Sequence, residues 1–221
     1  MLVFAEKTIY LSSCQIGVFM YASTDAYYAT HAKAYFENTA FRDLSATALR
    51  FLAHVKPHGR IIDVGCGSGR DLRFFRAHGF QAEGIDACEA LCKLARTHSG
   101  ENVQCVRIED WQPDKRFDGV WACASLLHLP MDAIFAFFSR LRNILEPQGA
   151  AFFSFKSGIE SGFNRQGRYF MAFSLNDLQD VLQRYQELVL LEMWESSDAL
   201  ERSEVSWLSF VFGLARECTH G

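Results

Sequence analysis

From residue 60 onward the chain alternates between two hydrophobic periods. "RIIDV" is a short apolar run and predicts a buried strand, and "SGRDLRFFRAH" predicts a helix stopped by Gly79. "QAEGID" predicts a strand, "CEALCKLARTH" a helix and "VQCVRI" a strand. "FDGVWACA" is a fourth strand, followed by the helix "MDAIFAFFSRLRNILE", which Pro147 and Gly149 stop, and by the strand "AAFFSF". Such alternation means βαβ units and a parallel sheet covered by helices on both faces. Near the C-terminus the pattern changes. Ser174 with Asp177 predicts a helix N-terminus, and "LVLLEMW" and "VSWLSFVFGLA" are strands joined only by "ESSDALERSE", which suits an antiparallel hairpin. Upstream, Tyr27, His31, Ala34 and Tyr35 share one helical face, and Leu44, Ala48, Leu52 and Val55 another. The predicted fold is α/β: a doubly wound, mainly parallel seven-stranded sheet of Rossmann-like type, ending in an antiparallel hairpin and preceded by two helices.

Bulk properties narrow the function. The 221 residues suit one domain, and 49% apolar residues with 20 Phe exclude wholesale disorder. A net charge of −4 argues against a general nucleic-acid binder, whose affinity rests on Lys and Arg at phosphates. The seven cysteines are odd in number and several lie in apolar strand-like runs, as in reduced intracellular proteins. Cys88 and Cys92 share a helical face, yet no second pair completes a zinc site, so no metal is expected. Charged and polar residues interrupt the apolar start, Met20 is a second candidate start codon, and no run reaches the ~18 residues of a membrane span. The expected location is the cytoplasm and the expected partner a small molecule, with neither nucleic acid nor membrane. Oligomeric state is not readable from the sequence.

The candidate chemistry centres on "IIDVGCGSGRDL", residues 61–72, a strand running into a turn with Gly65, Gly67 and Gly69. Glycine lets the backbone approach a ligand closely and tolerates φ > 0. The spacing is not G-x-G-x-x-G, because Arg70 and Leu72 occupy the sixth positions. That argues against a nicotinamide dehydrogenase. Asp63 ends the first strand beside the turn, where a carboxylate suits a cationic ligand better than a pyrophosphate. Asp86 ends the second strand about 20 residues after the first glycine, where an acid accepts ribose hydroxyls. Glu109 and Asp110 end the predicted third strand. An amino group, a ribose and an adenine in a row describe S-adenosylmethionine (SAM).

From about Tyr27 to Ala215 the chain resembles a class I SAM-dependent methyltransferase. "DVGCGSGRD", "EGIDACEAL", "FDGVWACASLLHLP" and "LRNILEPQGAAFFSFK" resemble successive motifs of that family, with Gln148 where the last usually has glycine. "LLHLP" and "SFKSG...GRYF" are similar to small bacterial tellurite-resistance-type methyltransferases. The resemblance implies an N-terminal extension over 1–19, lid helices over 20–56 and a SAM-binding domain over 57–221. It implies that Asp63 and the Gly65, Cys66, Gly67 and Gly69 turn hold the methionine end, assisted by Arg70. Asp86 would take the ribose, Ala87 the adenine face, Glu109 or Asp110 the adenine edge, and Cys123 would lie near the sulfonium.

The acceptor side is less specific. "ACASLLHLP" lacks the Asn- or Asp-Pro-Pro-aromatic run of nucleic-acid amino methylation. His128 is the candidate general base, with a packed loop histidine as the alternative. "KSGIESGFNRQGRY" carries Lys156, Arg165 and Arg168 among glycines, which suits an anionic acceptor; a solvated loop is the alternative. Tyr28 on the lid helix completes the candidate substrate residues. Two function classes follow: a methyltransferase acting on a small molecule, with an anionic acceptor as one candidate, or a non-catalytic SAM- or nucleoside-binding module serving a partner.

Overall fold

The computed structural model describes residues 13–197 and 206–215, with side chains from Ala22 onward. The first twelve residues, the later part of "ESSDALERSE" and Cys218 lie outside the described residues.

Helix α1 (Ser13–Thr39) is followed by α2 (Ser45–Leu52), and then the alternation begins. It runs β1 (Arg60–Val64), α3 (Arg70–Ala77), β2 (Gln81–Asp86), α4 (Glu89–Ser99), β3 (Asn102–Cys105) and β4 (Phe117–Cys123). A short 3-10 turn over Leu126–His128 leads into α5 (Met131–Ile144) and β5 (Leu145–Ser157). Two short strands, β6 (Gly162–Phe163) and β7 (Tyr169–Phe170), precede α6 (Leu175–Arg184), β8 (Leu188–Ser197) and β9 (Ser206–Leu214).

The main sheet has the order β3-β2-β1-β4-β5-β9-β8. β1 to β5 pair in parallel, and β9 runs antiparallel between β5 and β8. The strand order reverses beside β1, where β2 lies on one side and β4 on the other. Ligands bind at such a switch point, beyond the strands' carboxyl ends.

Burial follows position. β1 and β4 sit in the sheet centre, covered on both faces, and read as nearly continuous apolar runs. Edge strand β8 alternates, leaving Val189, Leu191 and Met193 exposed. Phe137 and Phe138 of α5 pack on Phe153 of β5 on one face, which also holds Phe210 and Phe212. On the other face Trp121 stacks on Phe152, with Phe51 of α2 and Phe75 of α3 against its ring. Gly79, at φ +82°, ends α3, and Ser174 with Asp177 forms a reciprocal capping box at α6.

Three boundaries differ from expectation. β3 ends at Cys105 rather than at residue 108, because the Arg107 carbonyl accepts from the amides of Asp110 and Trp111 and closes a turn there. α1 is longer than its aromatic face suggested and runs unbroken across the expected boundary at Met20. The glycine-rich segment after β5 is an ordered hairpin: β6 and β7 pair, and the Asn164 side chain accepts from the amides of Gln166 and Arg168. The described part of α1 is tied to this hairpin, since Ser23 Oγ donates to the Gly167 carbonyl and Thr24 Oγ1 accepts from the Tyr169 amide.

Candidate active site

The glycine turn leaves β1 with Gly65, Gly67 and Gly69 all in the left-handed region, at φ +76°, +52° and +73°. Its amides are already used. Those of Gly65 and Cys66 donate to the Ile85 carbonyl, and that of Gly67 to Asp86 Oδ2 at 2.9 Å. The turn is therefore fastened to β2 and does not offer these amides as a phosphate cradle. The Cys88 amide holds the other Asp86 oxygen at 2.8 Å. Asp86 keeps free lone pairs on a carboxylate fixed in place, and burial raises its pKa against those two hydrogen bonds.

Gly65, Gly67, Asp86 and Ala87 wall a cavity of about 110 Å³, closed further by Leu91, Glu109 and Ser125. Close approach requires glycine at two positions. A Cβ on Gly65 would collide with Ser125 Cβ, and one on Gly67 would stand 3.2 Å from the ring of Tyr35. Tyr35 comes from α1, so the first helix roofs this cavity. Arg107 reaches from the loop after β3 to pair with Asp25 of the same helix.

Other residues of the turn work from beneath. Asp63 is 2% exposed, lines neither cavity, and its Oδ2 has no hydrogen-bond partner among the described residues. Burial pushes its pKa up first; the nearby Asp71 carboxylate adds to this and Arg70 opposes it. Cys66 turns its side chain inward against Gly84. Gly69 packs on Ala95 of α4, 2.9 Å from its Cα were a Cβ present, and so serves helix packing. The Arg70 guanidinium makes a two-pronged contact with Asp71, both bonds 2.7 Å, and Asp71 also accepts from Trp121 Nε1.

A second cavity, of about 400 Å³, lies over β4, β5 and β9. Tyr28, Tyr35, Cys123, Ala124 and His128 line both cavities, so the two meet there. Cys123 stands at the junction with Arg70 Nη2 3.9 Å and Ser154 Oγ 3.7 Å from its sulfur. Burial pushes its thiol up to about 12, so it is protonated at neutral pH.

His128 is held at both nitrogens. Nδ1 lies 2.7 Å from the Tyr169 carbonyl, which can only accept, so Nδ1 carries the proton. Nε2 then accepts from Tyr28 Oη at 2.9 Å. Burial lowers the His128 pKa to about 4, and the Arg168 and Lys156 charges act in the same direction. Burial raises the Tyr28 pKa, opposed by the Arg168 charge and hydrogen bond.

Arg168 and Lys156 line the second cavity. The Arg168 guanidinium lies 4.5 Å from the Tyr27 ring centroid and 5.3 Å from that of Phe170, and its buried Nε has no hydrogen-bond partner among the described residues. Lys156 Nζ sits 3.8 Å from the Phe170 centroid. Both are cation–π contacts, and Arg168 Nη2 also donates to Gln166 Oε1 at 3.0 Å.

Of the predicted residues, Gly65, Gly67, Asp86, Ala87, Glu109 and Cys123 come together at the first cavity. Arg70, Tyr28, His128, Lys156 and Arg168 join at the second. Asp110 does not take part: the turn closed on Arg107 carries it to the surface while burying Trp111. Arg165 is likewise exposed, at the hairpin tip. Sequence reasoning missed Trp207 and Ser209 from β9, Arg42 after α1, and Arg107. Only Tyr35 among the additions carried a signal, its place on the aromatic face of α1.

A family model described as a methyltransferase domain matches residues 35–203. Among curated proteins, a ubiquinone biosynthesis O-methyltransferase of Idiomarina loihiensis is 36% identical over 103 residues, 43% of this chain and 41% of that protein. A sterol 24-C-methyltransferase of Yarrowia lipolytica is 28% identical over 131 residues, 54% of this chain and 34% of that protein. The matches thus span less than half the length of these curated relatives. The 1,6-didemethyltoxoflavin-N1-methyltransferase of Burkholderia thailandensis, solved with 1,6-didemethyltoxoflavin and S-adenosylhomocysteine, has a TM-score of 0.74 at 17% identity, covering 95% of this chain and 93% of that one. A TehB-like SAM-dependent methyltransferase of Corynebacterium glutamicum has a TM-score of 0.65 at 19% identity, covering 84% and 99%. At such identities the solved structures speak for the fold, and the family match speaks for membership. With the seven-stranded order, the glycine turn tied to Asp86 and the family match over most of its length, the chain belongs to the methyltransferase domain family and has the class I fold.

Proposed function

We propose that this chain is a SAM-dependent methyltransferase acting on a small, anionic acceptor. The observation that carries the reading is the junction of the two cavities, one walled by Gly65, Gly67 and Asp86 and the other lined by Lys156 and Arg168. When bound, SAM supplies a methyl group on a cationic sulfur, open to in-line attack. The residues present fit such a ligand. Asp86 accepts the two ribose hydroxyls, Ala87 lies along the adenine, and the glycines admit the methionine portion. Asp63, buried beneath the turn, lines neither cavity.

Lys156 and Arg168 draw the anion to the junction. An acceptor already anionic at neutral pH needs no general base. That fits His128, which is neutral there and holds Tyr28 rather than taking a proton. The relatives and structural neighbours include O-, C- and N-methyltransferases, and what they share is the methyl transfer. Helices α1 and α2 act as the lid. Cys66, Cys88, Cys92, Cys105 and Cys123 are free thiols, which supports a cytoplasmic setting. Among the described residues no helix is long and apolar enough to cross a membrane.

The test is methyl transfer from labelled SAM into small molecules of a cell extract, with Asp86→Ala beside the wild type. The variant should lose a few kcal/mol of SAM affinity, because each ribose hydroxyl loses a charged acceptor at about 1.5–3 kcal/mol. SAM binding without any transfer would leave a binding module instead. NAD binding tighter than SAM would overturn the whole reading.

A further inference from the structure

Glu89, Cys92 and Cys105 lie outside both cavities. Glu89 opens α4 and Cys92 follows one turn later, so the two share a helix side. Cys105 ends β3, in register with Asp86 of β2. The topology thus delivers a carboxylate oxygen and two sulfurs to one point, all within 4.8 Å of one another. Cys92 is buried; Glu89 and Cys105 are exposed and leave an open side for entry.

We propose that these three side chains form a binding site for one thiophilic divalent cation, Zn²⁺ in the first instance. Two thiolates and a carboxylate are a donor set that zinc accepts, with water completing four positions. Metal–sulfur bonds of about 2.3 Å put tetrahedral ligands roughly 3.8 Å apart, so only small side-chain adjustments are needed. The present contacts of the three groups are weak. Glu89 Oε1 stands 3.7 Å from both Lys93 Nζ and Arg96 Nη1, and these exposed pairs are cheap to break. The Cys92 sulfur lies 3.4 Å from the Asp86 carbonyl, and that of Cys105 3.7 Å from the Ala87 carbonyl. Loading forms two zinc–sulfur bonds and one zinc–oxygen bond and releases two thiol protons to solvent, with no change of oxidation state. The donors sit on a helix start and a strand end that the sheet already holds together, so little ordering is required.

The test uses the full chain with a non-thiol reductant present, so that both thiols stay reduced. Co²⁺ serves as the spectroscopic probe and Zn²⁺ as its competitor. One equivalent of Co²⁺ should produce thiolate charge-transfer and tetrahedral ligand-field absorption, both removed by one equivalent of Zn²⁺. Cys105→Ser and Glu89→Gln alter exposed side chains and should leave the metal-free melting temperature unchanged, while each weakens Zn²⁺ binding at least tenfold. Cys92→Ser should abolish the signal. The proposal is overturned if micromolar protein takes up no Zn²⁺. It is equally overturned if Cys105→Ser and Glu89→Gln bind as the wild type does.

Discussion

The two cavities that meet at Cys123 are built in opposite ways. The floor of the first comes from the β1 turn, the end of β2 and the start of α4, fastened by backbone amides such as that of Gly67, which donates to the Asp86 carboxylate, while α1 and the segment after β4 close it from above. The second gathers Tyr28, His128, Lys156, Arg168 and Trp207 from five separate elements, and its contacts are mostly side chain to side chain. Backbone-built walls tolerate little change at few positions. Side-chain walls can be altered one residue at a time, which lets one fold serve many acceptors.

The sharpest way to probe the first wall is Gly65→Ala. The new methyl would meet Ser125 and force a left-handed φ on alanine. Strain and overpacking at about 1–3 kcal/mol each should lower the denaturation midpoint strongly and remove SAM binding. A variant as stable as the wild type would show that the wall is soft and erase the contrast between the cavities.

On the second wall, Arg168→Ala should spare both stability and SAM affinity. It should lower kcat/KM for the acceptor ten- to a hundredfold, the loss of one charge-assisted contact at about 1.5–3 kcal/mol. Arg168→Lys should recover only part of this, because a point charge cannot reproduce a two-pronged contact. Unchanged acceptor kinetics in both Arg168→Ala and Lys156→Ala would remove the anionic-acceptor proposal.

A smaller effect is expected at His128. Its pKa, lowered to about 4, keeps the ring neutral, so between pH 6 and 8 activity should carry no inflection from this group. The sign for stability follows from the same shift. The unfolded chain binds the proton more readily, so the contribution of neutral His128 is complete above its ordinary 6.5 and is lost as pH falls towards 4. A histidine NMR titration with a midpoint near 6.5 would refute the buried, doubly bonded geometry.

The smallest effect should come from deleting residues 1–19. This removes about two turns of α1 but keeps Ser23, Thr24 and Asp25, which tie the helix to the rest. Calorimetry should find melting temperature and SAM affinity within error of the full chain. A large fall would show that the first turns are part of the fold.

The βαβ alternation, the glycine turn and Asp86 were legible in the sequence because each is a local pattern. A parallel strand buried on both faces must be apolar throughout. A turn entering a helix needs left-handed residues, and a strand-end acid keeps a fixed distance from the turn. The terminal hairpin was legible for the same reason, since ten residues leave no room for a crossover helix. Local reasoning failed where a turn ended a strand early, so Asp110 was paired with Glu109 although it faces solvent.

Tertiary structure alone decided what each side chain faces. Arg70 is taken up by Asp71, and His128 is clamped between the Tyr169 carbonyl and Tyr28, so neither its tautomer nor its low pKa could be read from "LLHLP". The ordered hairpin holds Arg168 against Tyr27, a residue of a helix far away in sequence. Cys105 meets Cys92 only because β3 lies beside β2 and α4. The backbone pattern depends on spacing along the chain, which sequence carries directly. Partnership between distant side chains depends on which faces the sheet brings together, and no local period encodes that.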